Sequence, residues 1–186
     1  VKKIHLQQKE NTQKENKMKK IIITFMLIFG LVVNGLCASN FNDLNGKQKQ
    51  LLQWAYEHGK EYNIGYTLAA IMWQESFVGD KIVKVNLQDP SAGLWHKNVM
   101  YACKEHDIDP NGLNLNKMAQ KLINDDEFAM LIAMADIMMW LEKRDGDWFS
   151  AWASYNGGGY YDSQKAQNYA KNINKKVSIL VKELNP

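Results

Sequence analysis

Residues 69–77 read AAIMWQESF, an apolar run holding a single acidic residue, Glu75. On a helix Glu75 falls three, four and seven positions after Met72, Ile71 and Leu68, so these four side chains share one face. Ala69, Ala70, Trp73 and Phe77 cover most of the remainder, and the spacing predicts a helix over residues 66–77 that is buried on nearly every side. A carboxyl group drawn out of water resists ionisation. Such a group is suited to keep a proton near neutral pH and to deliver it as a general acid.

Upstream, NDLNGKQKQLLQWAYEHGKEYNI predicts an amphipathic helix carrying Leu51, Leu52, Trp54, Ala55 and Tyr56 and ending near Asn63 or Gly65. Downstream, KIVKVNLQDPSAGLW alternates Ile82, Val83, Val85 and Leu87 with polar residues and runs into Asp-Pro-Ser-Ala-Gly. That is a short extended or hairpin segment around 80–90, followed by a turn. Residues 95–106 and 114–123 each suit a short helix, separated by the breaker DIDPNG. Asp125 or Asp126 can cap EFAMLIAMADIMMWLEKR, which is apolar all round and predicts the central buried helix, its methionines forming core and its Asp136 paired with a lysine or a helix end. Asp147 can cap WFSAWASYN, which stops at Gly157-Gly158-Gly159, and SQKAQNYAKNINKKVSILVKEL forms a long amphipathic last helix. The fold class that follows is mostly α, with one domain over residues 39–186.

The preceding segment reads differently. Met18-Lys19-Lys20, an apolar run at 21–33 and the small-residue tail NGLCAS have the form of a secretory signal peptide over 18–38, with Ala38 the expected last residue removed and Cys37 the alternative. The run is short for a bilayer span, which takes about 20 residues. Residues 1–17 are polar and aperiodic and read as an upstream extension. Removing 1–38 takes away seven lysines and two glutamates, so 16 basic and 18 acidic residues remain. A chain so nearly neutral, with no basic run, offers nucleic acid no footing. One cysteine, Cys103, remains in that portion and reads as a buried apolar filler; no disulfide framework is expected. His58, His96 and His106 lack ligand spacing, so no metal and no cofactor is expected.

Three segments carry the chemistry: Trp73-Gln74-Glu75-Ser76-Phe77, Ser91-Ala92-Gly93-Leu94-Trp95-His96, and Ala151-Trp152-Ala153-Ser154-Tyr155-Asn156-Gly157-Gly158. In order and spacing they resemble the soluble lytic transglycosylases, peptidoglycan-cleaving relatives of goose-type lysozyme, over about residues 50–180. That family carries a Glu-Ser pair closing a helix, a Gly-Leu-Met-Gln turn, and Ala-Tyr-Asn-x-Gly ending a later helix. Here the turn reads Gly93-Leu94-Trp95-His96, Ser154 stands where the family has alanine, and no Asn-Pro follows Glu-Ser-x-Phe. The resemblance implies a lysozyme-like helical domain with Glu75 catalytic. It also implies that Ser76, Gly93, Leu94, Trp95, His96, Tyr155 and Asn156 orient the acid or bind substrate. Tyr155 would lie beside the carboxyl and Asn156 would contact sugar. Trp95, Tyr160 and Tyr161 are candidate aromatic surfaces along a saccharide cleft. His96 brings a titratable group near neutral pH where the family has glutamine.

The implied reaction is a lyase cleavage of the bond between N-acetylmuramic acid and N-acetylglucosamine, closing a 1,6-anhydro ring with one glutamate as acid and then base. The alternatives are a hydrolytic muramidase, which needs a second carboxylate such as Asp80 or Asp89 at about 6.5–9.5 Å, and an inactive wall-binding assembly factor. The implied partners are peptidoglycan strands and, by analogy of size, a secretion, conjugation or flagellar envelope complex. The implied location is periplasmic or secreted, without a membrane span after signal removal.

Overall fold

The computed structural model describes residues 40–84 and 90–184. The leader, its cleavage site and Asp89 lie outside the described residues. The rest is mostly helical, as the periodicity predicts. A 3-10 turn (Phe41–Asp43) leads into α1 (Gly46–Lys60) and α2 (Gly65–Ser76). Three two-residue strands follow, β1 (Val83–Lys84), β2 (Ser91–Ala92) and β3 (Lys97–Asn98). Then come α3 (Val99–Glu105), α4 (Gly112–Asn124), α5 (Asp126–Lys143), α6 (Trp148–Gly157) and, after a 3-10 turn at Gly158–Tyr160, α7 (Gln164–Glu183).

Short polar side chains set most helix starts. Asn45 and Gln48 form a reciprocal capping box on α1. Asn98, Asn111, Asp125, Asp147 and Ser163 each accept a first-turn backbone N–H of α3, α4, α5, α6 and α7. Asp125 and Asp147 are among the caps expected from sequence. Helix α2 has no side-chain cap and is held by its surroundings. Leu68, Ala69, Ala70, Ile71, Met72 and Trp73 are all 0 % exposed, between α1 on one side and α7 on the other. Each large apolar side chain so enclosed contributes about 1.5–3 kcal/mol.

Two expectations need correction. Helix α5 is not the central buried helix: Leu131 and Met138 are 57 % and 45 % exposed. Its neighbours α4 and α6 cover one stripe, formed by Ala129, Met130, Ile132, Ala133, Met134 and Ile137. The enclosed helix is α2. Nor does a helix begin at residue 95, because Gly93 and His96 have positive φ and the chain makes β3 before Asn98 caps α3. The hairpin expected around 80–90 is present as β1 antiparallel to β2, with Val83 opposite Ala92. β3 adds a third strand, with Ser91 opposite Asn98, which no sequence signal marked. Among the described residues, no helix is long and apolar enough to cross a membrane.

Candidate active site

Glu75 lies in the last turn of α2, and the chain reverses directly behind it. Phe77 (φ 58°), Val78 (φ 56°) and Gly79 (φ 91°) are left-handed in succession, a costly state for β-branched valine. The reversal is held from several directions. Ser76 Oγ donates to the Met72 carbonyl at 3.2 Å and accepts from the Gly79 N–H at 3.1 Å. Gln48 Nε2 donates to the Phe77 carbonyl and to Asp80, at 3.0 and 3.1 Å. The Lys81 N–H closes the loop on the Ser76 carbonyl at 2.8 Å.

These bonds settle two candidates. Ser76 is 0 % exposed and its hydroxyl serves the backbone, so it is neither a sugar contact nor a visible support for the Glu75 carboxyl. Asp80 is exposed, receives Gln48 and lies outside the cavity that Glu75 faces. It is not the second carboxylate.

That cavity has a volume of about 580 Å³. It gathers Glu75 from α2, His96 from the β2–β3 turn, and Tyr155 and Asn156 from the end of α6, so candidates from three segments far apart in sequence meet at one place. The Glu75 side chain is 14 % exposed and that of His96 9 %. His96 Nδ1 is 3.3 Å from Glu75 Oε2, and its Nε2 donates to the Lys81 carbonyl at 2.5 Å. Tyr155 runs along the cleft, but its hydroxyl is enclosed and donates to the Trp95 carbonyl at 3.2 Å. Burial, then the charges of Asp136, Glu75 and Glu105, push its pKa well above the usual phenol value, so it stays a neutral donor.

Gly93, Leu94 and Trp95 build the turn from beneath and do not line the cavity. Trp95 is 1 % exposed, its indole N–H donating to the Leu68 carbonyl at 2.9 Å and its ring 6.2 Å from that of Trp54. It is a core residue, not a sugar platform; its size matches a deep slot against α2. Leu94 is 4 % exposed. At Gly93 (φ 81°) an added Cβ would lie 2.5 Å from the Leu122 carbonyl oxygen. Gly93→Ala is therefore expected to lose about 1–3 kcal/mol from backbone strain and more from the clash, read as a drop in the urea midpoint with unchanged slope. Tyr160 is 81 % exposed, just past the cavity-lining glycines. An added Cβ at Gly158 or Gly159 would meet nothing within 4 Å, so space does not demand glycine there, though the φ of 55° at Gly158 does. Gly157 instead lets α6 approach Ala166 of α7, at 2.8 Å from an added Cβ.

Several residues in and around the cavity were not foreseen. Tyr169 of α7 is buried at 8 % exposure, and burial followed by the nearby Glu75 charge pushes its pKa well above the usual value. Its hydroxyl lies near the Glu75 carboxyl without a completed hydrogen bond. Lys97, 7 % exposed, donates to both Asp136 oxygens at 2.8 and 2.7 Å and to Glu105 at 2.7 Å. Burial pushes the Asp136 carboxyl up, against the pull of Lys97 and with a further push from Glu105. All three line the cavity, together with the exposed ring of Tyr101 and the ring of Trp140. Arg144 donates from Nε to Ser154 Oγ at 2.8 Å and reaches the Gly158 carbonyl at 3.4 Å, with its guanidinium 3.6 Å from the centre of the Tyr161 ring. This explains the hydroxyl at position 154 and ties down the glycine turn; Tyr161 is engaged by Arg144.

A periodic sequence signal marks none of these partners except Asp136, whose pairing with a lysine was expected. Among the described residues, no cluster of three or more His, Cys, Asp or Glu side chains could hold a metal ion. No family model matches the chain, and no curated protein or solved structure matches it.

Proposed function

We propose that the chain is an exported lytic transglycosylase with a lysozyme-like domain, acting on peptidoglycan at the bond between N-acetylmuramic acid and N-acetylglucosamine. The observation that carries this reading is the convergence of Glu75, Tyr155 and Asn156 on one cavity, with the glutamate 14 % exposed at the end of a helix whose apolar run from Leu68 to Trp73 is fully buried. A cavity with aromatic faces and many hydrogen-bonding groups suits a glycan, which presents hydroxyls at its edges and C–H groups on its faces.

In the proposed reaction Glu75 gives its proton to the glycosidic oxygen as the bond to the muramyl C1 breaks, and the substrate's 2-acetamido group supports the positive centre. The Glu75 carboxylate then takes the proton of the muramyl 6-hydroxyl, whose oxygen bonds to C1. The anhydro ring closes, the glutamate regains its proton and no water enters the balance. Tyr155 and Tyr169 supply neutral hydroxyls close to the carboxyl, and Asn156 offers amide groups to sugar substituents.

A second carboxylate in the same cavity, Asp136, keeps hydrolysis as the competing outcome, in place of Asp80. Both its oxygens are engaged by Lys97, which blunts it as a base and favours the lyase. Mass spectrometry of digested peptidoglycan separates the two: anhydro-muramyl ends are expected, and reducing ends would assign the protein as a muramidase. Wall binding with neither product would leave the non-catalytic assembly factor.

A further inference from the structure

The contacts of His96 fix more than its position. A backbone carbonyl only accepts, so in the contact with Lys81 the hydrogen belongs to Nε2 of His96. That commits the tautomer. Nδ1, on the other side of the ring, is 3.3 Å from Glu75 Oε2, and in a neutral ring it is a lone pair. The contact is strongest when one proton lies in it, carried by the carboxyl and accepted by Nδ1, or carried by Nδ1 and accepted by the carboxylate. Without that proton, two acceptors oppose each other. With a second proton, a neutral acid faces a cation and the ion pair is lost.

We propose that Glu75 and His96 hold a single proton as one unit, and that His96 is the positioning residue that keeps this proton at the catalytic carboxyl. The role in turnover rests on the transglycosylase reading of Glu75; the pairing itself does not. Once the proton has gone to the leaving oxygen, the bare carboxylate faces the Nδ1 lone pair. The unit cannot rest unprotonated without that repulsion, which makes Glu75 the stronger base toward the 6-hydroxyl in the next step. A glutamine at position 96 would do the reverse. Its amide N–H would donate to the carboxylate and stabilise it, so that Glu75 holds its proton less firmly before the first step and is a weaker base toward the 6-hydroxyl in the second.

The other titratable and charged groups around this pair are kept neutral, bonded to one another, or exposed to solvent. Tyr155 from α6 and Tyr169 from α7 face Glu75, and burial keeps both neutral. Asp136 of α5, Glu105 of α3 and Lys97 of β3 line the same cavity as a trio joined through Lys97. Lys176 of α7 reaches α2 at Gln74, donating to its side-chain oxygen at 2.8 Å. Lys81 and Asp80, on the reversal behind Glu75, carry their charges at exposed positions. The backbone fixes the pair as well: His96 is held at φ 48°, and the reversal after Ser76 delivers the Lys81 carbonyl to it.

The test is nitrogen-15 NMR of the imidazoles in the whole protein, without glycan, between pH 5 and 9. The expected wild-type spectrum shows His96 protonated on Nε2, with an Nδ1 shift between those of a free acceptor and a fully protonated nitrogen. In Glu75→Gln the intermediate shift should vanish, and the pH at which the ring signals change should move by about half a unit or more, because a neighbouring carboxylate has been removed. A resting Nδ1–H tautomer, or a His96 titration identical in the two proteins, overturns the proposal. The wild-type spectrum decides the tautomer even where the variant folds poorly. For turnover, His96→Gln should lower kcat more than it raises KM and shift the alkaline limb of kcat/KM to lower pH; an unchanged profile overturns the role in turnover. A coupled pair in a protein that yields no anhydro ends would sink the enzyme reading and leave the pairing standing. Anhydro ends from a protein with uncoupled His96 would do the opposite.

Discussion

Glu75→Gln is expected to stop the release of soluble muropeptides, lowering kcat by about 10²–10⁴-fold, the range that a positioned general acid–base group contributes. Glutamine has nearly the volume of glutamate and can sit in the same last turn of α2, where the apolar face from Leu68 to Trp73 is wholly enclosed. Packing is kept and the deliverable proton is lost. Because one group serves both half-reactions, kcat and kcat/KM should fall together, the pattern of an interaction made in the transition state. Binding to insoluble wall should persist, since Asn156, Tyr101 and Trp140 are untouched. Turbidity clearing, chromatography of the soluble fraction and a sedimentation assay with purified wall read these three quantities. Clearing at the wild-type rate would remove Glu75 from the chemistry, and with it the proposed mechanism.

How far the sequence led depends on whether a residue's role is local. The run from Leu68 to Phe77 told its own story, because helical period and apolarity need no tertiary information. Caps were equally legible at Asp125 and Asp147, where a side chain answers to backbone two or three positions on. Glu75, His96, Tyr155 and Asn156 were named from motif spacing, and all four line one cavity. Trp95 was misplaced because a tryptophan beside a candidate substrate turn reads the same whether its ring faces sugar or core. Only the slot against Leu68 and Trp54 decides that. The same limit explains α5, since apolarity on every side does not say how many neighbours a helix will have. Lys97, Glu105, Tyr169 and Arg144 went unmarked because each gains its meaning from a partner on another element. Lys97 and Asp136 are 39 positions apart, a separation at which no periodicity speaks.

Lys97→Met is expected to destabilise the fold by about 3–5 kcal/mol at neutral pH, the range for removing one partner of a buried ion pair. Methionine fills much of the lysine volume, so the loss is electrostatic. Glu105 is 45 % exposed and can turn to water, but Asp136 is 17 % exposed and would keep a carboxylate with no partner. The sign with pH follows from Asp136. Its folded pKa is raised above 3.8, burial outweighing the pull of Lys97, so the folded chain holds this proton more tightly than the unfolded one. Its contribution to stability is therefore full below 3.8 and is lost as pH rises through the folded value. Removing Lys97 removes the lowering influences and stretches that window upward. The deficit of the variant relative to wild type should thus be greatest near pH 7.5 and shrink toward pH 4.5 as Asp136 takes up its proton, measured by urea unfolding of both proteins at each pH. A deficit equal at the two values would mean that packing, not the stranded carboxylate, sets the cost. Lys97→Met with Asp136→Leu should recover most of the loss, because an apolar pair of similar volume needs no partner charge. Recovery of stability with altered turnover would further show that the trio is retained for the cavity it lines rather than for the fold it interrupts.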